Sequence, residues 1–510
     1  MAPRLAGVVE IGSSAIRLAI AEFATAEGSR TLDQADIPVA LGQDVFVNGK
    51  ISRETMRQST LALRGFREVL NSWGVADENV RVIATSAVRE AENRDMYVDQ
   101  TALRTGFEVS VLEGVEAIYL TYLAVSWALR RGWPSFSRAN SLVVEVGGGS
   151  TEVMVLRRGK MVAVHTLSLG TVRLEQQLRQ MFGTRAFLPK FIRDNQHAAM
   201  DTIGQESDLS RVRRFVAIGS DVRVAAYEVG HQASDHHHVI PADAFRDYVT
   251  KMESLSTEQL VRRLELSYED AEALLPALLI YRGFLDQTKA EEIIVPYVSI
   301  RDGIILDTFR SESRGERERM DAHVVAAAKA LCERYNGDVG HGTHVAELSL
   351  AIFDTMQREH RLSPHERLLM EVSAILHEIG QFVNQSGHHK HGQYLVENAE
   401  IFGLDRDDRQ IVGNVVRYHR KALPSKSHPY YMSLNREQRL VVSKLAAILR
   451  VADALDRGHA RRMSGLAIEK TDTELVLHGG VDDVGIERFS LASKSDLFEQ
   501  VFGLRAVLRD

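Results

Sequence analysis

Residues Leu142–Leu156 read LVVEVGGGSTEVMVL: an apolar run, an acid at Glu145, three consecutive glycines, two hydroxyl residues, another acid and a second apolar run. Two buried strands broken by so short a polar stretch predict a hairpin. Gly147, Gly148 and Gly149 let backbone N–H groups turn toward one point and let an anion approach with no side chain in the way. Ser150 and Thr151 add hydroxyl donors. An acid just ahead of the turn, Glu145, suits a divalent cation that screens phosphate charge. The turn is a candidate phosphate cradle; the alternative is a tight hairpin that binds nothing.

The same plan occurs about 135 residues earlier, where Val8–Ser14 gives an apolar strand, Glu10, Ile11, Gly12, Ser13 and Ser14 before a second strand. A repeated strand-turn-strand unit predicts two similar subdomains, with the turns facing each other across a cleft. Two acid-turn-hydroxyl units are what phosphoryl transfer needs, because catalysis there is mostly positioning and charge stabilisation. Between them, IATSAVR ends on Arg89, one turn into a predicted helix. A guanidinium fork suits phosphate oxygens, and the competing reading is a surface arginine paired with Glu92 or Asp95.

A chain of 510 residues is too long for one core and predicts about three domains. A net charge of -7 argues against bulk attraction to nucleic acid or a membrane surface. No apolar run reaches the roughly 18 residues of a membrane span, and the N-terminus lacks a signal-peptide layout. The single cysteine, Cys332, excludes an intramolecular disulfide and fits a cytoplasmic protein. Short β-branched runs alternate with helical patterns as far as Phe309–Glu318 (FRSESRGERE), the candidate linker. Expected strands include Arg81–Ala84 and Met161–Leu167, and expected helices Thr85–Asn93 and Val115–Leu129. Beyond the linker, Met320–Arg334, Thr343–Met356, Glu366–Leu376 and Leu440–Leu455 have helical periodicity, and ELVLHGG and SDLFEQVF predict a small α+β end. The expected domains are 1–130 and 131–310 (α/β), 311–465 (helical) and 466–510.

Together the two turns, ATSAVREAEN (Ala84–Asn93), SLGTVRL (Ser168–Leu174) and KAEEIIVPYVSIRDGII (Lys289–Ile305) resemble the exopolyphosphatase and guanosine pentaphosphate phosphatase (Ppx/GppA) family. HHKHGQYLVENAEIFGL, RYHRKALP and LRVADALDR are similar to the helical domain of its longer members, so the resemblance spans nearly the whole chain. It implies an actin-like, ribonuclease-H-like pair of domains followed by an HD-like helical domain. The implied activity is removal of terminal phosphate from inorganic polyphosphate, or from guanosine pentaphosphate, with Mg²⁺ or Mn²⁺, in a cytoplasmic homodimer. In VLEGVEAIYL the family's general base aligns with Glu116, with Glu113 as runner-up. Glu145 and Glu10 become the cation ligands, and Gly219 and Ser220 join the two turns and Arg89 as phosphate-binding residues. Three departures stand out. Both turns lead with glutamate where the family has aspartate, Ser14 and Ala15 replace its Asn and Ser, and Asp221 puts an acid beside the third turn. A displacement near 1 Å at a reacting centre costs on the order of a hundredfold in rate, so a non-hydrolytic polyphosphate- or nucleotide-binding regulator is the reading from a different class.

In the helical part, His344, His377-Glu378 and Asp453 resemble the order of metal ligands in HD-type phosphohydrolases, with buried structural histidines as the alternative. From Arg409 to Arg462 there are 12 basic residues against Glu437, Asp453 and Asp456. That surplus predicts a groove for a long polyanion and favours polyphosphate over the nucleotide. His236-His237-His238 beside Asp235 reads as a polar loop.

Overall fold

The computed structural model describes residues 4–24, 28–130, 138–181, 187–310, 314–463, 465–479 and 485–509. The chain forms two compact units, Met1–Glu318 and Arg319–Asp510.

In the first unit, Arg4–Ile11 (β1), Ala15–Ala24 (β2), Gly28–Pro38 (β3), Val80–Ala84 (β4) and Val109–Val111 (β5) form a sheet of order β3-β2-β1-β4-β5. Ser141–Val146 (β6), Thr151–Arg157 (β7), Lys160–Leu167 (β8), Arg214–Ile218 (β9), His231–Ser234 (β10), His237–Pro241 (β11) and Glu292–Pro296 (β12) form another, of order β10-β11-β12-β9-β6-β7-β8. The second sheet repeats the first: two antiparallel hairpin pairs (β6/β7, β7/β8) and then parallel neighbours (β9, β12), with β10-β11 added at the edge. The duplicated turn is thus the local sign of a duplicated topology.

Central parallel strands are covered on both faces, which is why SLVVEV and RFVAI are almost continuously apolar. The helix Arg53–Ser72 covers one face of the first sheet with Leu63, Phe66 and Leu70. Its other face meets the helices Gly114–Leu129 and Ile300–Arg310, where Val8, Ala21, Ile83, Leu120, Ile304 and Ile305 pack together. The last helix of the unit therefore returns to the first sheet. The helix expected over Thr85–Asn93 is only Ser86–Glu90, ending where Ala91 turns extended. The histidine run is a correction: His237 and His238 lie in β11 and are buried, His238 packing edge-on to Tyr227 and Tyr297. Strand pairing with β12 overrides the run's polarity.

The second unit is helical through Val339–Thr355, Pro364–Leu376, His388–Glu397, Arg406–Tyr418 and Arg436–Leu455. A sheet of Ala467–Lys470 (β13), Glu474–His478 (β14) and Arg505–Arg509 (β15) follows, with helices Gly485–Lys494 and Asp496–Phe502 packed on Arg436–Leu455. Part of the candidate linker, 311–313, lies outside the described residues; helix ends at Arg310 and resumes at Arg314. Among the described residues no helix is long and apolar enough to cross a membrane.

Candidate active site

Both glycine turns close in the same way. The N–H of Gly12 donates to the Ala15 carbonyl at 3.0 Å, and that of Gly147 to the Ser150 carbonyl at 2.9 Å. Each turn is then gripped by the start of a helix: Gly42 N–H donates to Ser13 O at 2.7 Å, and Val172 N–H to Gly148 O at 2.9 Å. Gly170 must be glycine, because a Cβ there would collide with the backbone of Gly148 and Gly149.

The turns line a cleft of ≈ 720 Å³ together with Glu10, Arg89, Glu145, Gly219, Ser220 and Asp221. Gly12, Ser13, Ser14, Gly147, Gly148 and Ser150 all face it. Gly149 and Thr151 are not among its lining residues. A Cβ on Gly149 would strike Ser86 and Phe46, and the Thr151 hydroxyl donates to the Leu169 carbonyl, so both hold the turn's packing. Arg173 ties the halves together: it donates to Gly149 O at 2.8 Å, binds both oxygens of Glu90, and lies 4.1 Å over the Phe46 ring.

The two leading acids have different surroundings. Glu10 faces Arg17 in the β1/β2 register at 3.7 Å and receives Arg301 at 2.8 Å. Glu145 faces Glu152 in the β6/β7 register and accepts from the Thr121 hydroxyl at 2.8 Å. Burial, then the charge of Glu152, push the Glu145 carboxyl up to about 8. Burial also raises Glu152, against a 2.6 Å bond from the Ser150 hydroxyl and the nearby charge of Arg89. Arg89 itself donates to Leu112 O at 2.8 Å. Asp221, in the first turn of the helix Ser220–Val229, is pushed up to about 7 by burial and by Asp270.

Sequence reading missed Glu152, Arg223 and Arg301, all of which line the cleft. Glu152 was open to inference, since a hairpin turning at Gly147–Ser150 brings Glu145 and Glu152 opposite each other. Arg223 donates to Val298 O at 2.5 Å, and the Nε atoms of Arg223 and Arg301 are buried without a hydrogen-bond partner.

Glu116 is the third residue of Gly114–Leu129, and its carboxylate accepts from the Glu113 N–H at 2.8 Å while Glu113 returns the bond as N-cap. Neither glutamate lines the cleft, although the next residue, Ala117, does.

Within the described residues, three ligand-type side chains converge within 4.8 Å at two overlapping places: His341, His377 and Asp453, and His341, Glu378 and His459. Both are in the second unit. The ligand order expected there is corrected at one position, because His341 rather than His344 joins the group; His344 lies one helical turn away with its Nδ1 3.7 Å from Glu347. The basic surplus is also partly internal. Arg409, Arg439 and Lys444 donate to main-chain carbonyls, buried Arg450 binds Tyr418 O, Lys494 O and Asp496, and Arg461 and Arg462 pair with Asp338 and Glu487.

Residues 24–312 match the Ppx/GppA phosphatase family, and residues 325–482 match domain III of Ppx/GppA phosphatases. A guanosine-5'-triphosphate,3'-diphosphate pyrophosphatase of Vibrio atlanticus is 24% identical over 464 residues, covering 88% of this chain and 87% of that one. The protein of the same name from Photobacterium profundum is 23% identical, covering 87% and 86%. Among solved structures, an exopolyphosphatase from Cytophaga hutchinsonii superposes with a TM-score of 0.54 at 17% identity, over 60% of this chain and 98% of its own. An exopolyphosphatase-like protein gives 0.52 at 20% identity, over 61% and 99%. These neighbours share the doubled, actin-like α/β fold of the first unit. With both units matched in order, the chain belongs to the Ppx/GppA phosphatase family and is a hydrolase of that phosphatase class.

Proposed function

We propose that the cleft removes the terminal phosphate from a phosphoanhydride chain, with inorganic polyphosphate as substrate and guanosine pentaphosphate as the second candidate. The observation that carries this is the pairing of opposite charges between two glycine turns. Arg223 and Arg301 each have a buried, unpartnered Nε, and Glu145 and Glu152 form an acid pair lining the same cleft. Phosphate oxygens would satisfy the guanidinium groups. Two carboxylates facing each other across one hairpin make an all-oxygen pair that, deprotonated, fits Mg²⁺ or Mn²⁺, so Glu145 and Glu152 would be the ligands. Glu10, already paired with Arg301, fits that role less well than Glu145. When bound, the ion would neutralise charge on the transferring phosphoryl group.

Gly12, Ser13, Ser14, Gly147, Gly148, Ser150, Gly219 and Ser220 orient the terminal phosphates, and Arg89 holds the charge near Glu152. Glu116 orients the attacking water; reaching it requires release of the Glu113 N–H, a bond within one helical turn. The second unit is the HD-like domain of the long family members, and the homodimer and cytoplasmic setting belong to the same proposal.

The nucleotide reading draws on a specific observation: four of the 12 basic residues from Arg409 to Arg462 serve main-chain carbonyls. A long polyanion therefore has a shorter track than the charge count suggests. Phosphate release from long-chain polyphosphate and from guanosine pentaphosphate, each with Mg²⁺ or Mn²⁺, separates the substrates. Glu116→Gln should lower release by about 10²–10⁴-fold. Release at the wild-type rate would overturn the base assignment. Tight polymer binding without release by the wild type would favour the regulator.

A further inference from the structure

The second unit contains a line of four buried histidines that the phosphatase cleft does not use. His341, His377, His419 and His388 follow one another with ring centroids 5.1, 5.1 and 5.2 Å apart. They come from four different helices or helix ends, so the packing of the unit brings them together.

Each ring has one nitrogen committed. His377 Nδ1–H donates to Ala374 O at 2.7 Å and His419 Nδ1–H to Val416 O at 2.6 Å, each serving an orphan carbonyl at the end of its own helix. His388 Nδ1–H donates to Gln385 O at 3.1 Å. His341 Nδ1 meets Asp456 Oδ2 at 2.7 Å, and the other Asp456 oxygen accepts from Arg461 N–H at 2.7 Å. A carboxylate fixing Nδ1 in this way orients a ring whose Nε2 serves a metal.

The Nε2 lone pairs are then left facing inward. Those of His341 and His377 are buried without a hydrogen-bond partner, in rings only 1% exposed. Those of His388 and His419 face each other at 3.2 Å. With both Nδ1 atoms donating to carbonyls, neither neutral ring has an Nε2 proton to share. Two imidazoles on one ion, each about 2.0–2.1 Å from it, have nitrogens separated by about this distance. Asp453 Oδ1 lies 3.7 Å from His377 Nε2, and Glu378 lies 4.0 Å from His341 Nε2. Lys494 sits on the second oxygen of Asp453 and leaves Oδ1 toward the histidines.

We propose that the second unit holds a divalent transition-metal centre on His341, His377 and Asp453, with Glu378 beside it and the His388–His419 pair offering donors for a further ion. A set dominated by imidazole with carboxylates suits Zn²⁺, Fe²⁺ or Mn²⁺ over Mg²⁺. The opposing reading is that the Lys494 ammonium already supplies the positive charge.

The test uses the full-length chain, stripped with chelator, re-equilibrated with Zn²⁺, Fe²⁺ or Mn²⁺, dialysed, and assayed for metal by plasma mass spectrometry. Wild type should retain at least one equivalent of one of these ions, and melt at a higher temperature than the stripped chain. Glu145→Gln, which can lose only an ion held in the cleft, should still retain at least one equivalent. His377→Ala should lose it, and Asp456→Asn should bind about 10–100-fold more weakly. Substoichiometric uptake of all three ions by wild type would overturn the proposal without reference to any variant. So would wild-type stoichiometry in His377→Ala with a native circular dichroism spectrum, or full displacement by equimolar Mg²⁺.

Discussion

At the first turn Gly12 N–H reaches Ala15 O at 3.0 Å, and at the second Gly147 N–H reaches Ser150 O at 2.9 Å, yet the acids two residues ahead meet opposite neighbours. Glu10 is paired across its hairpin with Arg17, and Glu145 across the equivalent hairpin with Glu152. One position of the repeat thus carries a cation in one half and an anion in the other. Backbone geometry was duplicated while the charge was not, and the cleft gained an arginine-neutralised wall facing an acid-rich one. An anion with its counter-cation needs that asymmetry, because two like walls would bind one partner and repel the other.

The largest effect should come from erasing it. Glu152→Arg makes the second turn an electrostatic copy of the first. Phosphate release with Mg²⁺ should fall on the order of a hundredfold or more, since charge stabilisation by an ion is worth several kcal/mol. The melting temperature should fall, because the new guanidinium gains Glu145 but loses the Ser150 bond and is set against Arg89; an active Glu152→Arg would break the comparison.

Glu10→Gln should act mainly on stability. It removes the charge opposite Arg301, only 14% exposed, while leaving an amide oxygen to accept its hydrogen bond, at a cost of about 2 kcal/mol measured by denaturant unfolding. A third comparison concerns the glycines that grip the turns. Gly170→Ala forces a Cβ into the backbone of Gly148 and Gly149, whereas Gly42→Ala first meets the side chains of Phe46 and Ser13. Overpacking predicts about 2 kcal/mol for Gly170→Ala and about 1 kcal/mol for Gly42→Ala.

The smallest effect concerns pH. Asp221 is neutral below about 7 and anionic above it, so KM for an anionic substrate should rise a few-fold between pH 6 and pH 8 (about 1 unit either side of that value). Asp221→Asn should flatten the profile. The same group makes stability fall as pH rises from its ordinary value toward about 7, because the folded chain keeps a proton that the unfolded chain has released.

Much of this was legible in the residues. The hairpin at Leu142–Leu156, its twin at Val8–Ser14 and the apolar helix after Glu113 rest on contacts within a few positions, and so do their expected boundaries. The partner of Glu10 was not: Arg301 is 291 residues away. His341 and His344 differ by one helical turn, and only helix packing decides which one faces His377. Nor does a count of arginines separate solvated charges from those that cap carbonyls, as Arg409 and Arg439 do.

The sequence by itself determined the turns and their duplication, because glycine conformation and hairpin closure are set by neighbours along the chain. Tertiary structure alone decided that one acid is paired with arginines and the other pushed toward protonation. Desolvation and Coulomb forces depend on what surrounds a carboxylate in space, and those neighbours arrive from distant parts of the chain.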